Sequence, residues 1–274
     1  MIEVGLLLTL ALVLVGAELA VWRFLRGPAR GRLGTARRTV ILSLVTVLLV
    51  FVSAWRVSKS RQFQILGDTV ARVETSKPVV ALTFDDGPTP KFTEEILEIL
   101  RREGMRATFF VTGQAVEENL PEAQHLVAEG HELGNHSYSH TRMVFRSYAF
   151  VREEVERTDE LIRAAGYEGD VHFRPPYCKR LLVLPYYLRV TGRTTILMDV
   201  EPESYPEIAV DAERIVSHVL AEARPGSIIL LHVMNESRAE TRQAVPLIIE
   251  GLRNKGYRFV TVSELLALDE PGEG

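Results

Sequence analysis

The sequence predicts an α/β protein, an irregular (β/α)7 barrel preceded by two transmembrane helices. Three observations lead there. Two long apolar runs stand near the start, and seven short runs rich in β-branched and aromatic residues come later, each trailed by a segment of helical periodicity. Alternation of that kind marks a parallel sheet. Third, the polar residues capable of chemistry collect at the ends of the short runs, where a barrel would gather them at one mouth.

The apolar runs are "VGLLLTLALVLVGAELAVW" (4–22) and "TVILSLVTVLLVFVSAW" (39–55). Each approaches the ~17–25 residues needed to cross a bilayer. Glu3, not a basic cluster, opens the first run and positive charge follows it, which is the reverse of a secretory signal peptide. Arg23, Arg26, Arg30, Arg32, Arg37 and Arg38 lie between the runs with no acidic residue among them. A short basic loop stays cytoplasmic. The expectation is a multi-pass protein of the cell membrane, with both termini and the soluble domain extracytoplasmic. The expected divisions are 1–57 as membrane anchor, 58–77 as stalk, 78–268 as the barrel domain and 269–274 as a tail.

Residues 1–57 carry seven Arg and two Glu, which leaves 25 basic against 34 acidic side chains, a net −9, for residues 58–274. An acidic surface argues against a nucleic-acid partner, because phosphate binding needs a basic face. Cys178 is the single cysteine, so no intrachain disulfide forms.

The short runs, in order, are "VVALTF" (79–84), "ATFFVT" (107–112), "HELGNH" (131–136), "VHFR" (171–174), "TTILMD" (194–199), "SIILLH" (227–232) and "RFVTV" (258–262). After the first, Thr89 is placed to cap a helix, Pro90 suits its first position, Phe92, Ile96, Ile99 and Leu100 share one face, and Gly104 ends it. Tyr148, Val151, Val155, Thr158 and Ile162 form a second stripe that stops at Gly166, and Ile215, Val216, Val219 and Leu220 a third. Asp85 and Asp86 follow the first strand, His136 ends the third, Arg174 the fourth, Asp199 the fifth and His232 the sixth. In an open sheet the outer strands would lie far from any single site, so the barrel is favoured.

A hydrolytic metal site uses about three protein ligands and keeps a position open. Asp86, His136 and His140 supply such a set. Two histidines four apart are by themselves a weak signal, and one of the paired aspartates has an ordinary use as a helix cap or turn residue. The second carboxylate at the end of a buried strand is then left without a partner, which argues for a nearby cation.

"TFDDGP", "NHSYSH", "FRPPY" and "ILLH", in this order and spacing, resemble the successive motifs of the polysaccharide deacetylase family, the NodB-homology domain of carbohydrate esterase family 4. The resemblance covers about residues 77–266. It implies Asp86, His136 and His140 as ligands of one divalent ion, zinc foremost, with cobalt, nickel or manganese as substitutes. It implies Asp85 as the general base toward the attacking water, Arg174 as its orienting partner, the Tyr177 main-chain N–H as an oxyanion donor and His232 as the acid that protonates the departing amine. Leu230, Tyr205, Pro175 and Pro176 would lie on the substrate side. An acetamide is a poor electrophile with a poor leaving group, so it needs an activated water, a polarised carbonyl and an acid for nitrogen.

One motif departs from the family. Where an Asp–Trp pair is usual, "MDVEPESY" (198–205) sets Ser204 and Tyr205, so the acid that orients His232 falls to Asp199, Glu201 or Glu203. The implied activity is removal of N-acetyl groups from amino sugars of a cell-surface polysaccharide, peptidoglycan or another N-acetylglucosamine glycan. An O-acetyl glycan esterase on the same fold, and a non-catalytic membrane protein that binds glycan or a partner, are the alternatives. Oligomeric state is left open by the sequence.

Overall fold

The computed structural model describes residues 32–61 and 63–269. The chain divides into two compact units, residues 1–63 and 64–274. In the first unit, α1 (Arg32–Lys59) runs for 28 residues, about 42 Å at 1.5 Å per residue. Its stretch Val40–Lys59 is long and apolar enough to cross a membrane, and is the one such helix among the described residues. Val40, Leu44, Val47, Leu48 and Phe51 are all more than half exposed, so the described residues supply no protein core for them. A helix apolar on every side needs a buried or lipid environment. The expected 4–22 span lies outside the described residues. Of the expected basic loop, the described part, residues 32–38, is helical.

The second unit is built on parallel strands. β2 (Val79–Asp85) pairs along one flank with β3 (Thr108–Val111), which pairs with β4 (Glu132–Asn135). Its other flank pairs with β6 (Ile228–His232). Ala81 is opposite both Ile228 and Val260, so β7 (Arg258–Val260) lies on the β3 side of β2, at its N-terminal end. Single bridges complete the circuit: Asn135 to Phe173, Phe173 to Thr195 of β5 (Thr195–Ile196), and Val200 to Ile229. All of these are parallel, which fits the predicted (β/α)7 barrel.

Two expected strands are much reduced. Residues 171–174 contribute a single bridging residue, Phe173, paired to Asn135 on one side and Thr195 on the other, because Pro175 and Pro176 follow at once and cannot donate to a ladder. At 194–199 only Thr195–Ile196 is regular. The expected stalk, by contrast, contains β1 (Thr69–Val70), which pairs with β5. The last strand stops at Val260, because Thr261 caps a helix over Val262–Leu266 with Glu264 in a reciprocal capping box.

Period-two alternation sorts the strand residues. Val79, Ala81, Ile228 and Leu230 face a small interior core with Phe110 and Met198. Val80, Leu82, Phe84, Phe109, Ile229 and Leu231 face the surrounding helices, α2 (Pro90–Arg102) through Ile96 and Leu100, and α3 (Ala239–Asn254) through Val245 and Ile249. Full burial of each such side chain contributes roughly 1.5–3 kcal/mol. The stripe predicted for α2 holds for Phe92, Ile96 and Leu100, with Leu97 also buried and Ile99 half-buried. Thr89 occupies the cap position without a capping bond from its side chain, whose hydroxyl lies 4.0 Å from Met234 Sδ; its N–H donates to Thr93 Oγ1. Because the strands are parallel, their C-terminal ends open together at one mouth.

Candidate active site

Asp85 continues the inward series Val79, Ala81, Thr83, and His232 the inward series Ile228, Leu230. The β2–β6 register sets the two opposite each other. Asp85 is 3% exposed and Arg174 fully buried. Arg174 Nη1 donates to Asp85 Oδ1 at 2.6 Å and to Thr83 Oγ1 at 2.9 Å, and Nη2 to the Leu197 carbonyl at 3.1 Å. Its guanidinium also lies 4.0 Å from the centre of the Phe110 ring. A buried ion pair costs desolvation unless hydrogen bonds satisfy its remaining groups, and these contacts satisfy most of them. Arg174 holds one carboxylate oxygen of Asp85; the other lies 3.7 Å from His136 Nε2.

Asp86, His136 and His140 offer ligand atoms all within 4.8 Å of one another. Asp86 Oδ1 is 3.9 Å from His136 Nε2 and 3.4 Å from His140 Nε2. The histidines are not on a helix. They flank a loop in which Ser137 (φ 63°) and His140 (φ 53°) take left-handed backbone, and Asp86 does so too at φ 66°. Local strain of this kind persists where surrounding structure fixes it. Asn135 accepts from the Ser137 N–H at 2.8 Å and donates to the Val155 carbonyl and to Asp159, while the buried Glu154 accepts from both the N–H and the hydroxyl of Ser139.

The donor set fits a divalent ion. His136 Nδ1 lies 2.7 Å from the Arg174 carbonyl, which only accepts, so the proton is on Nδ1 and the Nε2 lone pair faces Asp86. Burial pushes the His136 imidazolium down to about 3, against the pull of Asp86, so the ring is neutral and ligand-competent at physiological pH. Two imidazole nitrogens and one carboxylate are the ligand types of a hydrolytic zinc-class site with open positions.

His232 stands across the mouth. Its Nδ1 is 2.7 Å from Glu203 Oε2, which also accepts from the His232 N–H at 2.8 Å. Thr241 donates to the other oxygen of Glu203 at 2.7 Å. Burial pulls the His232 imidazolium down, but the hydrogen bond and charge of Glu203 outweigh it, with Asp85 and Asp86 adding, and hold it up at about 9. Nε2 is thus the proton-bearing atom left for chemistry. Tyr177 sits in the turn Pro176–Cys178 with φ 56°. Its ring centre is 4.7 Å from that of His140, which brings this turn beside the ligand trio.

A family model described as polysaccharide deacetylase matches residues 72–195. A peptidoglycan-N-acetylglucosamine deacetylase of Bacillus cereus is 31% identical over 211 residues, covering 75% of this chain and 96% of that protein. The chain belongs to the polysaccharide deacetylase family. It is an enzyme of that family, a hydrolase of carbon–nitrogen bonds. The crystal structure of a peptidoglycan N-acetylglucosamine deacetylase is 30% identical, with a TM-score of 0.69 over 73% of this chain and 92% of that one. A pseudoenzyme of carbohydrate esterase family 4 from Bacillus anthracis is 29% identical, with a TM-score of 0.65 over 72% of this chain and 68% of that one. Fold alone therefore does not establish turnover, which depends on the residues of the mouth.

Among the three acids expected to orient the histidine of this deacetylase-family site, Glu203 is the one bonded to it. Asp199 accepts from Ser227 and from the Ile228 N–H, and Glu201 accepts from Ser204. Leu230 is buried at the inner end of the mouth, one inward position before His232. Tyr205 is half-exposed, and its ring lies 5.1 Å from that of His218 on a helix over Ala212–Glu222. Pro175 and Pro176 are both buried, and they form the turn that presents Tyr177. Cys178 is half-buried, with its sulfur 3.6 Å from that of Met198. Glu154, Thr83 and Thr241 support the site without any signal in the sequence. Glu154 and Thr241 lie outside the motifs and Thr83 only opens the first of them; the folded contacts single the three out.

Replacing Glu203 with Gln removes the charge that raises His232. Activity that needs protonated His232 falls as pH rises through about 9. In the Glu203→Gln variant this descending limb is expected at distinctly lower pH, measured as kcat against pH; an unmoved limb would assign the acid elsewhere.

Proposed function

We propose that the protein is a metal-dependent hydrolase that removes N-acetyl groups from amino sugars of a cell-surface polysaccharide, peptidoglycan or another N-acetylglucosamine glycan. The observation that carries the reading is a buried carboxylate fixed by Arg174 on one side of the mouth and a charged His232–Glu203 pair on the other, with a three-ligand set beside them. Base and acid are held apart by their environments, as an amide cleavage requires.

Asp86, His136 and His140 would hold the ion. When bound, it supplies Lewis acidity toward the acyl carbonyl and lowers the pKa of water. Asp85 accepts the proton of the attacking water through the oxygen that Arg174 leaves open. The N–H of Tyr177 donates to the developing oxyanion, a contribution of roughly 3–4 kcal/mol in hydrolases. His232 gives its Nε2 proton to the departing amine nitrogen, and Glu203 holds the ring in place for that transfer. Leu230 lines the floor against the acetyl methyl.

We also propose that α1, with the 4–22 run as a second span, anchors the enzyme in the cell membrane with its barrel extracytoplasmic. The arginines preceding Val40 and the exposed apolar surface of α1 support this. Proximity to the wall favours peptidoglycan. The test is to supply the full chain, in detergent with zinc or cobalt, with N-acetylglucosamine oligomers, peptidoglycan and O-acetylated xylan, and to measure free amine and acetate. Amine release is expected; acetate from xylan alone would favour the esterase, which has less need of His232 because an alkoxide leaves more easily than an amine.

A further inference from the structure

We infer that Arg142 and Arg146 form an anion subsite beside the mouth, which selects amino-sugar glycans that carry carboxylates over neutral ones. The inference rests on the deacetylase reading for its substrate and deepens it.

The loop after His140 carries both arginines, and both are exposed. The Arg142 guanidinium lies 4.9 Å from the centre of the Tyr177 ring, whose other neighbour is the imidazole of His140 at 4.7 Å. A cation stacked on an aromatic face is held in place while its N–H groups stay free to bond at the edge. Arg146 Nε donates to the Arg142 carbonyl at 3.3 Å, and its guanidinium lies 5.0 Å from the Phe150 ring centre, so the second cation is drawn to the same segment. Neither forms an ion pair with a carboxylate among the described residues, a property shared with the exposed Arg189 and Arg214; what sets Arg142 apart is its place on the Tyr177 ring beside His140.

Two guanidinium groups without an acid, one of them ring-stacked beside a proposed ligand, suit a planar carboxylate on the residue next to the acetamido sugar being cleaved. On a glycan, that carboxylate is either a lactyl ether acid on the sugar itself or the acid of an attached peptide stem.

The experiment compares wild type with Arg142→Gln and Arg142→Lys on three glycans of equal length. These are a neutral N-acetylglucosamine oligomer, an alternating strand with free lactyl carboxylates, and the same strand with peptide stems. Arg142→Gln is expected to raise KM about tenfold on the carboxylated glycan that fits, leave kcat there unchanged, and leave the neutral oligomer unaffected. Arg142→Lys should restore part of the loss. The arm that responds identifies the source of the carboxylate. An equal loss on all three glycans would mean that Arg142 only props Tyr177, and no loss on any would remove the subsite; either result overturns the inference. Binding of the same glycans to Asp85→Asn, with and without Arg142→Gln, keeps the two readings separate. Absence of turnover in wild type would strike the deacetylase reading, while a salt-sensitive binding difference that depends on Arg142 would still support the subsite.

Discussion

Replacing Asp85 with Asn is expected to lower kcat by about 10²–10⁴-fold, the range that a positioned proton-transfer group contributes. The substitution is nearly isosteric, and Arg174 still finds Thr83 Oγ1 and the Leu197 carbonyl. The three ligand residues are untouched, so the variant should bind a divalent ion in the same ratio as wild type. Rate and metal content thus separate: rate by single-turnover acetate release, content by elemental analysis of the purified chain. A variant that loses its metal along with its rate would make Asp85 a ligand instead, a role its 3.7 Å approach to His136 Nε2 makes worth excluding.

The second large effect belongs to Arg174→Met. Methionine keeps much of the volume against Phe110 but leaves Asp85 buried without its cation. Breaking one side of a buried ion pair costs about 3–5 kcal/mol, which for a domain of this size lowers Tm by on the order of 10 °C. Deacetylation should fall as well, because the base loses the contact that fixes its open oxygen. The double variant Asp85→Asn with Arg174→Met should recover part of the stability, since the unpaired charge is gone, yet none of the activity. Differential scanning calorimetry of the four proteins gives the coupling directly. Strictly additive losses would mean that the pair is not the unit described.

Much of the barrel and its mouth is legible in the sequence, for definable reasons. Strands buried on both faces read as short apolar runs, and Asp85, His136 and His232 terminate three of them, so the mouth follows from parallel strands. Paired aspartates and two histidines four apart suggest the ligand set, although the spacing belongs to a loop with left-handed residues and not to a helix. The acid for His232 is not legible, because three carboxylates occur within five residues and only the turn at Pro202–Ser204 decides that Glu203 reaches the ring. The run 171–174 promises a fuller strand than it forms, since two prolines remove the donors a ladder needs. The pairing of Thr69–Val70 leaves no trace in the sequence pattern, because two residues are too few to carry a periodicity. Thr261 and Glu264, in contrast, spell a capping box that ends the last strand, a signal that is plain in the sequence although the run 258–262 extends past it.

If these side chains cleave an amide in a metal-dependent way, turnover must follow both the metal and Asp85, and one measurement tests that most directly. Full-length protein is stripped with chelator, reloaded with one equivalent of zinc, and assayed for acetate and free amine from N-acetylglucosamine oligomers, beside equally loaded Asp85→Asn. Equal release of acetate and amine by the reloaded wild type, absent after stripping and reduced by about a hundredfold or more in Asp85→Asn, is the predicted result. Release that survives chelation, or that Asp85→Asn retains in full, would contradict it.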